Sequence, residues 1–374
     1  MATLAGDNFY YAAYLRNNAG GSGVMNVAVT GAGTQTLSGD RIQYTGSTTI
    51  GSGATLIFET TSTGTTNGGF NSGFNSSGTS VQNDGTLGIR VVNNGLDQTF
   101  NKQILGSGGF TRYGNGVLRI DSVGSGGGAV TFGGSGVNIF GGRTIFNRAT
   151  VVSAGGFNVD GLLSVQSNAT QVTWSSTMSV AGGVKITGYN FGSGVNGTSV
   201  TPSITANGAA TITSGNLDLE GGLFVVQNGT LNLTGGAINI SDNVGELRIL
   251  AQAGAVNRVT GTSAPAVNMN GGKVAFLAQA GGSTVSQTFG TLTLQGGLNL
   301  IETNNTATTS TLTFGNFARN AGGMVSFIGT GLGTAANKVM FTAGVANVSG
   351  IMGGWQPSGL RVRPRIGPST RRTG

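Results

Sequence analysis

Acid–base chemistry in this chain has only carboxylates to rest on. The sequence carries 12 Asp and Glu but no His and no Cys, which excludes a Ser-His-Asp triad, a thiol nucleophile, a disulfide and an ordinary zinc site. The best-placed pair is Asp218 and Glu220, in Leu217-Asp-Leu-Glu220. On a strand, their i, i+2 spacing projects both acids to one side, opposite Leu217 and Leu219. Paired carboxyls are the machinery of glycan cleavage, so Asp218 and Glu220, with Asp242 and Glu246 following in sequence, form the catalytic candidate set. The plainer role of such acids is to solubilise a strand face and discourage edge pairing. That role is the expectation, and no catalytic residue, cofactor or metal is assigned.

Three further patterns touch on chemistry. Gly331-Leu-Gly-Thr-Ala-Ala336 fits a dinucleotide fingerprint, but the fingerprint needs a following helix to aim N–H groups at a pyrophosphate, and no amphipathic helix follows Asn337-Lys338. Gly133-Gly-Ser-Gly-Val-Asn-Ile-Phe140 approximates the calcium-binding nonapeptide of β-rolls, with Asn138 in place of the charged Asp and no adjacent copies to complete the coordination. Both patterns read as turns. Tyr10, Tyr11 and Tyr14 cluster, and Trp174 sits in Val172-Thr-Trp-Ser175. Exposed rings of this kind stack on sugars, but the expectation here is core or cap packing.

The elements that position these residues are strands. Val24-Met-Asn-Val-Ala-Val29, Thr55-Leu-Ile-Phe58, Gly85-Thr-Leu-Gly-Ile-Arg-Val-Val92 and Ala209-Ala-Thr-Ile-Thr213 are short apolar or alternating runs bounded by Gly, Asn or Ser. The nearest helical candidate, Phe317-Ala-Arg-Asn-Ala321, is five residues long and runs into a Gly pair. A pentad Gly-x-Leu-x-(Leu/Ile/Val) begins at Gly85, Gly116, Gly161, Gly215, Gly229, Gly245 and Gly290. Three copies extend to a closing Gly-Gly: Gly215 to Gly222 with Leu217 and Leu219, Gly229 to Gly236 with Leu231 and Leu233, and Gly290 to Gly297 with Leu292 and Leu294. Glycine permits the bends into and out of each strand, and the paired Leu side chains face one way. One such strand cannot bury its apolar side alone, whereas stacked turns of a coil do so, which predicts an all-β, elongated single-domain β-solenoid. With roughly 20 to 25 residues per turn, about 15 turns give a rod on the order of 70 Å. Offsets of 14 and 16 residues between Gly215, Gly229 and Gly245 leave the number of strands per turn open. A series of two-sheet sandwiches is the alternative.

Composition sets the outer bounds. The chain has 374 residues, 71 of them Gly, and charged residues are only 8%. The formal charge of +7 is concentrated: Arg361, Arg363, Arg365, Arg371 and Arg372 lie in the last 14 positions, leaving 14 cations against 12 acids before them. The body is almost neutral, so no specific nucleic-acid binding is expected. No run approaches 18 apolar residues, so no transmembrane helix is expected, and the N-terminal residues do not read as a signal peptide.

Ile104-Leu-Gly-Ser-Gly-Gly-Phe-Thr-Arg-Tyr-Gly-Asn-Gly-Val-Leu-Arg-Ile120 resembles the first half of the autotransporter-associated β-strand repeat of bacteria, with Arg112 where Lys is usual. Tyr44-Thr-Gly-Ser-Thr-Thr-Ile-Gly-Ser-Gly-Ala-Thr-Leu56 is similar to its second half, as, less closely, is Phe140-Gly-Gly-Arg-Thr-Ile-Phe146. Phe317 to Trp355 looks like the spacer between such repeats; beyond Trp355 the family pattern continues, whereas this chain turns rich in Pro and Arg, as a shifted reading frame would. The resemblance implies a right-handed parallel β-helix passenger at the cell surface or outside the cell. Residues 1–355 would form the solenoid and 356–374 a basic, disordered or frame-shifted tail. The expected function is a non-enzymatic structural or adhesive segment, acting as a monomer on surface glycans or other cells. The alternatives are a carbohydrate-active β-helix enzyme, a polysaccharide lyase or hydrolase, and a phage-type fibre.

The tail carries its own test. Leu360-Arg-Val-Arg-Pro-Arg-Ile366 would set three Arg on one strand face, while Asn320 to Gly359 contains no Asp or Glu to meet them, and Pro364 removes a ladder donor. Deleting Arg361 to Gly374 is expected to leave the melting temperature unchanged and to lower retention on a polyanion resin at low salt. A fall in melting temperature would identify the tail as a cap.

Overall fold

Alternation of β-branched or Leu residues with small polar ones, interrupted by Gly and Asn, gives strands and corners. A computed structural model describes residues 2–352 except 4–5, 13–14, 18–22, 39–40, 61–68, 71–79, 93–95, 122–128, 133–135, 141–142, 148–149, 154–156, 160–161, 167–170, 175–177, 181–182, 188–202, 253, 280–283, 305–308, 344–346 and 349–350. Tyr14, Gly161, Trp355 and the 356–374 tail therefore lie outside the described residues. Every described element is a strand, including Phe317–Arg319, the helical candidate. No described helix is long and apolar enough to cross a membrane.

Three strands make one turn. Leu217–Glu220 lies on a first face, Leu223–Val226 on a second and Thr230–Leu233 on a third. The chain then returns to Ile238–Ser241, Glu246–Ala251 and Val259–Gly261, each pairing in parallel with the strand one turn before it. The same pattern runs through the described chain, with a short antiparallel pair, Asn347–Val348 with Ile351–Met352, as the exception. This is a parallel β-helix, an elongated all-β coil, and not a series of sandwiches. The turn length varies: Val137 pairs with Phe157, 20 residues on, whereas Met178 pairs with Ala210, 32 residues on.

The uneven spacing of the glycine pentads now has a physical reason. The copies beginning at Gly215 and Gly229 serve the first and third faces of one turn, and the copy at Gly245 opens the second face of the next. The pentad marks a corner followed by a strand, not a full turn. In the third extended copy the Gly-Gly pair does not end its strand. Leu292–Asn304 continues through Gly296 and Gly297 around a corner, where its register against Val267–Ala278 slips.

The core is a set of inward columns, one residue per turn. Leu217, Leu219, Leu231, Leu233, Leu292 and Leu294 are all buried inside it. Stacked rings Phe289, Phe314 and Phe341 lie 5.7 Å apart in successive turns. Gly229 is needed for space: a Cβ there would stand 1.8 Å from the carbonyl oxygen of Gly208 in the preceding turn. Gly315 occupies a comparable corner with its nearest atoms 3.5 Å from such a Cβ. Gly229→Ala is thus expected to lower the unfolding temperature and Gly315→Ala to be tolerated. Leu231→Ala should cost about 2–5 kcal/mol in denaturant unfolding. Equal effects of the two glycine variants would refute the close-approach account.

Candidate functional site

The acids singled out from sequence fall on different surfaces of the coil. Lys185, Asp218, Asn239 and Asn268 stand one above another on the first face. Asp218 and Glu220 project outward, opposite the buried Leu217 and Leu219. Each is held by a neighbouring turn. Asn239 Nδ2 donates to Asp218 Oδ1 at 2.7 Å, Asn268 Nδ2 donates to Asn239 Oδ1 at 2.9 Å, and Lys185 Nζ meets Glu220 Oε1 at 2.7 Å. Asp242 sits in the following corner at φ 68, exposed, with Asn243 also left-handed at φ 58. Glu246 opens the second-face strand and pairs with Arg248 at 2.7 Å and Lys273 at 3.5 Å, while Lys273 reaches Glu302 at 2.8 Å.

Asp218 and Glu220 therefore share a face, Asp242 lies at a corner and Glu246 lies round it on another face. Glycoside cleavage requires two carboxyls flanking a bond. Asp218 and Glu220 stand side by side on one strand, the first engaged by an amide and the second by an ammonium. Among the described residues there is no group of three or more acidic side chains able to hold a metal. A groove of about 410 Å³ runs along the corner after the third face, past Thr234, Thr262, Ser263, Gly290 and Asn316, and no charged side chain lines it. Gly331 and Gly333, at φ 68 and 87, belong to a turn that leads into strand Asn337–Phe341, so no helix N-terminus stands there for a pyrophosphate. Val137–Ile139 is likewise a strand, with Asn138 half-buried; Gly133 to Ser135 lie outside the described residues.

The aromatic expectation needs correction. Tyr10 and Tyr11 are not packed in the core: they are 61% and 43% exposed on the first described strand of the third face. The side chain of Trp174 is outside the described residues.

The most connected polar site was not visible as a motif. Ser38, Glu59, Arg90 and Tyr113 form one outward column on the third face, in four successive turns. Tyr10 Oη donates to Glu59 Oε1 at 2.7 Å, Ser38 Oγ does so at 2.9 Å, and Arg90 Nη1 donates to Oε2 at 2.7 Å. Burial alone would raise the Glu59 carboxyl, but the hydrogen bonds from Tyr10, Arg90 and Ser38 and the charge of Arg90 outweigh it and hold the group below its ordinary value. The Arg90 guanidinium lies 5.4 Å over the Tyr113 ring, and that ring stacks on Phe140 at 5.9 Å. The Tyr113 ring is thus engaged by both Arg90 and Phe140. The signal was present in sequence as a shared offset: Glu59, Arg90 and Tyr113 each follow a buried residue, Phe58, Ile89 or Arg112, at the same point of consecutive turns.

Arg112 itself occupies the inner column between Ile89 and Ile139 and is fully buried. Its guanidinium donates to the carbonyls of Gly114 and Gly116, and to that of Phe140 at 3.2 Å, which closes the corner from within. Burial pulls its pKa down to about 10, which leaves the group charged at neutral pH. Comparison with protein-family models, curated proteins and solved structures finds no match.

Glu59 gives the site its test. Its folded carboxyl binds a proton less readily than the unfolded one, so the cluster's contribution is complete above the ordinary value of 4.5 and is lost as pH falls through the lower folded value. Glu59→Ala is expected to cost about 1–3 kcal/mol at pH 7, since Ser38 and Tyr10 lose their acceptor. The gap between wild type and variant should close on acidification, as read by thermal melts from pH 7 to 3. A gap that stays constant would show that the carboxylate charge is not what holds the column.

Proposed function

We propose that this chain is a non-enzymatic structural or adhesive segment of a secreted bacterial surface protein, displayed or released outside the cell in the manner of an autotransporter passenger. Its partners on this reading are surface glycans or other cells. The observation that supports it best is the placement of Asp218 and Glu220. They sit on an open sheet face and are taken up in contacts between turns, Asp218 with Asn239 and Glu220 with Lys185. Side chains used this way fix the register of the coil. An elongated coil also suits display, because its surface grows with each turn while its interior only repeats. The rival, a carbohydrate-active enzyme, would need two carboxyls around a substrate-sized cleft, and the uncharged Thr- and Gly-lined corner groove supplies none.

The purified chain is expected to leave polysaccharides uncut and to bind to cells or immobilised surface glycans. Asp218→Ala and Glu220→Ala should change thermal stability, each by up to about 1 kcal/mol for a partly exposed pair, without changing any glycan turnover. Turnover that disappears in either variant would overturn the reading in favour of the enzyme.

A further inference from the structure

The corner after the third face changes shape along the rod. It takes residues 234–237 between Leu233 and Ile238, and residues 262–266 between Gly261 and Val267. In the next two turns it shortens to residues 290–291 and 315–316. The groove of about 410 Å³ crosses all four corners, and the longest of them is exposed at Thr262, Ser263 and Ala264. Glycine lets a short corner draw in against the long one: a Cβ at Gly290 would stand 2.5 Å from the Ala264 carbonyl oxygen. Four successive turns spaced about 4.8 Å apart make a run of about 14 Å along the rod.

Among the described residues no charged side chain lines this groove, so it offers no counter-charge to a phosphate, sulfate or carboxylate. Its side-chain polar groups are hydroxyls and one amide. Thr234 Oγ1 donates to the Thr213 carbonyl at 2.8 Å and Thr262 Oγ1 to the Thr234 carbonyl at 2.9 Å. Their protons are committed to the neighbouring turn, which leaves lone pairs as acceptors. Ser263, Thr291 and Asn316 supply donors: among the described residues, none of the three side chains is hydrogen-bonded within the coil. Ala264, Pro265 and Ala266 add small apolar patches. Fixed acceptors and free donors around such patches complement hydroxyl groups on a C–H frame. The backbone of the corners is closed, because the carbonyls of Ala266, Thr291 and Asn316 accept from the N–H groups of Ile238, Val267 and Leu292 at 3.0, 2.9 and 2.8 Å. An extended peptide would need an open strand edge or apolar side-chain pockets, and these carbonyls are already taken.

We propose that this groove binds a neutral glycan, an uncharged oligosaccharide lying lengthwise along the rod across the corners from Gly235 to Asn316. Its hydroxyls donate to Thr234 and Thr262 and accept from Ser263, Thr291 and Asn316. The inference rests on the adhesive reading and gives it a site and a class of glycan. The ladder between turns holds the corners in place before the ligand arrives, so little ordering is left for binding to impose. Because no charge takes part, binding is insensitive to ionic strength, unlike retention of polyanions by the Arg-rich tail.

Binding of the full chain to neutral glycans (glucans, mannans and chitin oligomers), to sialylated and sulfated glycans, and to cells tests it, with affinities read by titration calorimetry. Wild type is expected to bind neutral glycans equally at low and high salt. The combined variant Ser263→Ala, Thr291→Val and Asn316→Ala removes three donors from exposed or half-buried corner positions. It should weaken that binding by about tenfold or more with an unchanged melting temperature. Thr311→Val, on the third face outside the groove, should bind as wild type does. A combined variant that keeps wild-type affinity overturns the groove as the site and leaves the adhesive reading standing. So does wild type that binds only charged glycans, or a groove that captures extended peptides and no glycan. Wild type that binds neither glycans nor cells overturns the adhesive reading and this site together. Should the combined variant melt lower, Ser263→Ala and Asn316→Ala, each at an exposed position, take its place, and each is expected to weaken binding severalfold.

Discussion

In a parallel strand, backbone hydrogen bonds point sideways, and a strand in this coil finds its partners one turn before and one turn after. That demand governs nearly everything else. It places residues of successive turns about 4.8 Å apart, so each side chain is judged against its counterparts above and below before anything more distant. The Leu, Ile, Val and Phe columns inside, the Asp218, Asn239 and Asn268 ladder and the Glu59, Arg90 and Tyr113 row outside are all solutions to the same stacking problem. Apolar side chains satisfy it by burial. Polar ones satisfy it by alternating donors with acceptors, and charged ones by alternating sign, as in Glu246, Lys273 and Glu302.

Corners pose the opposite problem, because there the ladder breaks and carbonyls are left over. The chain answers in two ways. Where turns approach closely, glycine removes the Cβ, as at Gly229 against Gly208. Where a corner faces inward, a polar side chain bonds the orphaned groups. Arg112 serves Gly114, Gly116 and Phe140. Asn299 donates to Gly296, Gly297 and Met324, and Gln287 pairs with both backbone groups of Val259. Arg112 and Asn299 are therefore corner fittings, and Gln287 bridges two strands of the third face.

The coil was legible in the sequence because its inner columns are local: Leu217 and Leu219, or Leu231 and Leu233, declare an inward side by alternation alone, and the flanking glycines declare the corners. Strands per turn were not legible, because the same Gly-x-Leu-x-Leu unit serves different faces. Spacing alone cannot tell a corner within a turn from a corner in the next. Asp218 and Glu220 were correctly seen as neighbours on one face, yet their partners Asn239 and Lys185 lie 21 and 35 residues away in sequence. The Glu59 cluster was missed for the same reason. Its members come from four turns of unequal length, and only the register reveals that Tyr10, Ser38 and Arg90 converge on one carboxylate.

The direction of the ladder has a mechanical side. Strands lie across the rod and their hydrogen bonds lie along it, so tension applied to the chain at one end acts on the bonds of the outermost turn while those further in bear little of it. Such a coil peels. Each turn that detaches releases roughly 25 residues, about 80–90 Å of extended chain at ~3.3–3.6 Å per residue, in exchange for one strand spacing of rod. A tether built this way lengthens in steps under load, dissipating force while the remaining turns keep their shape.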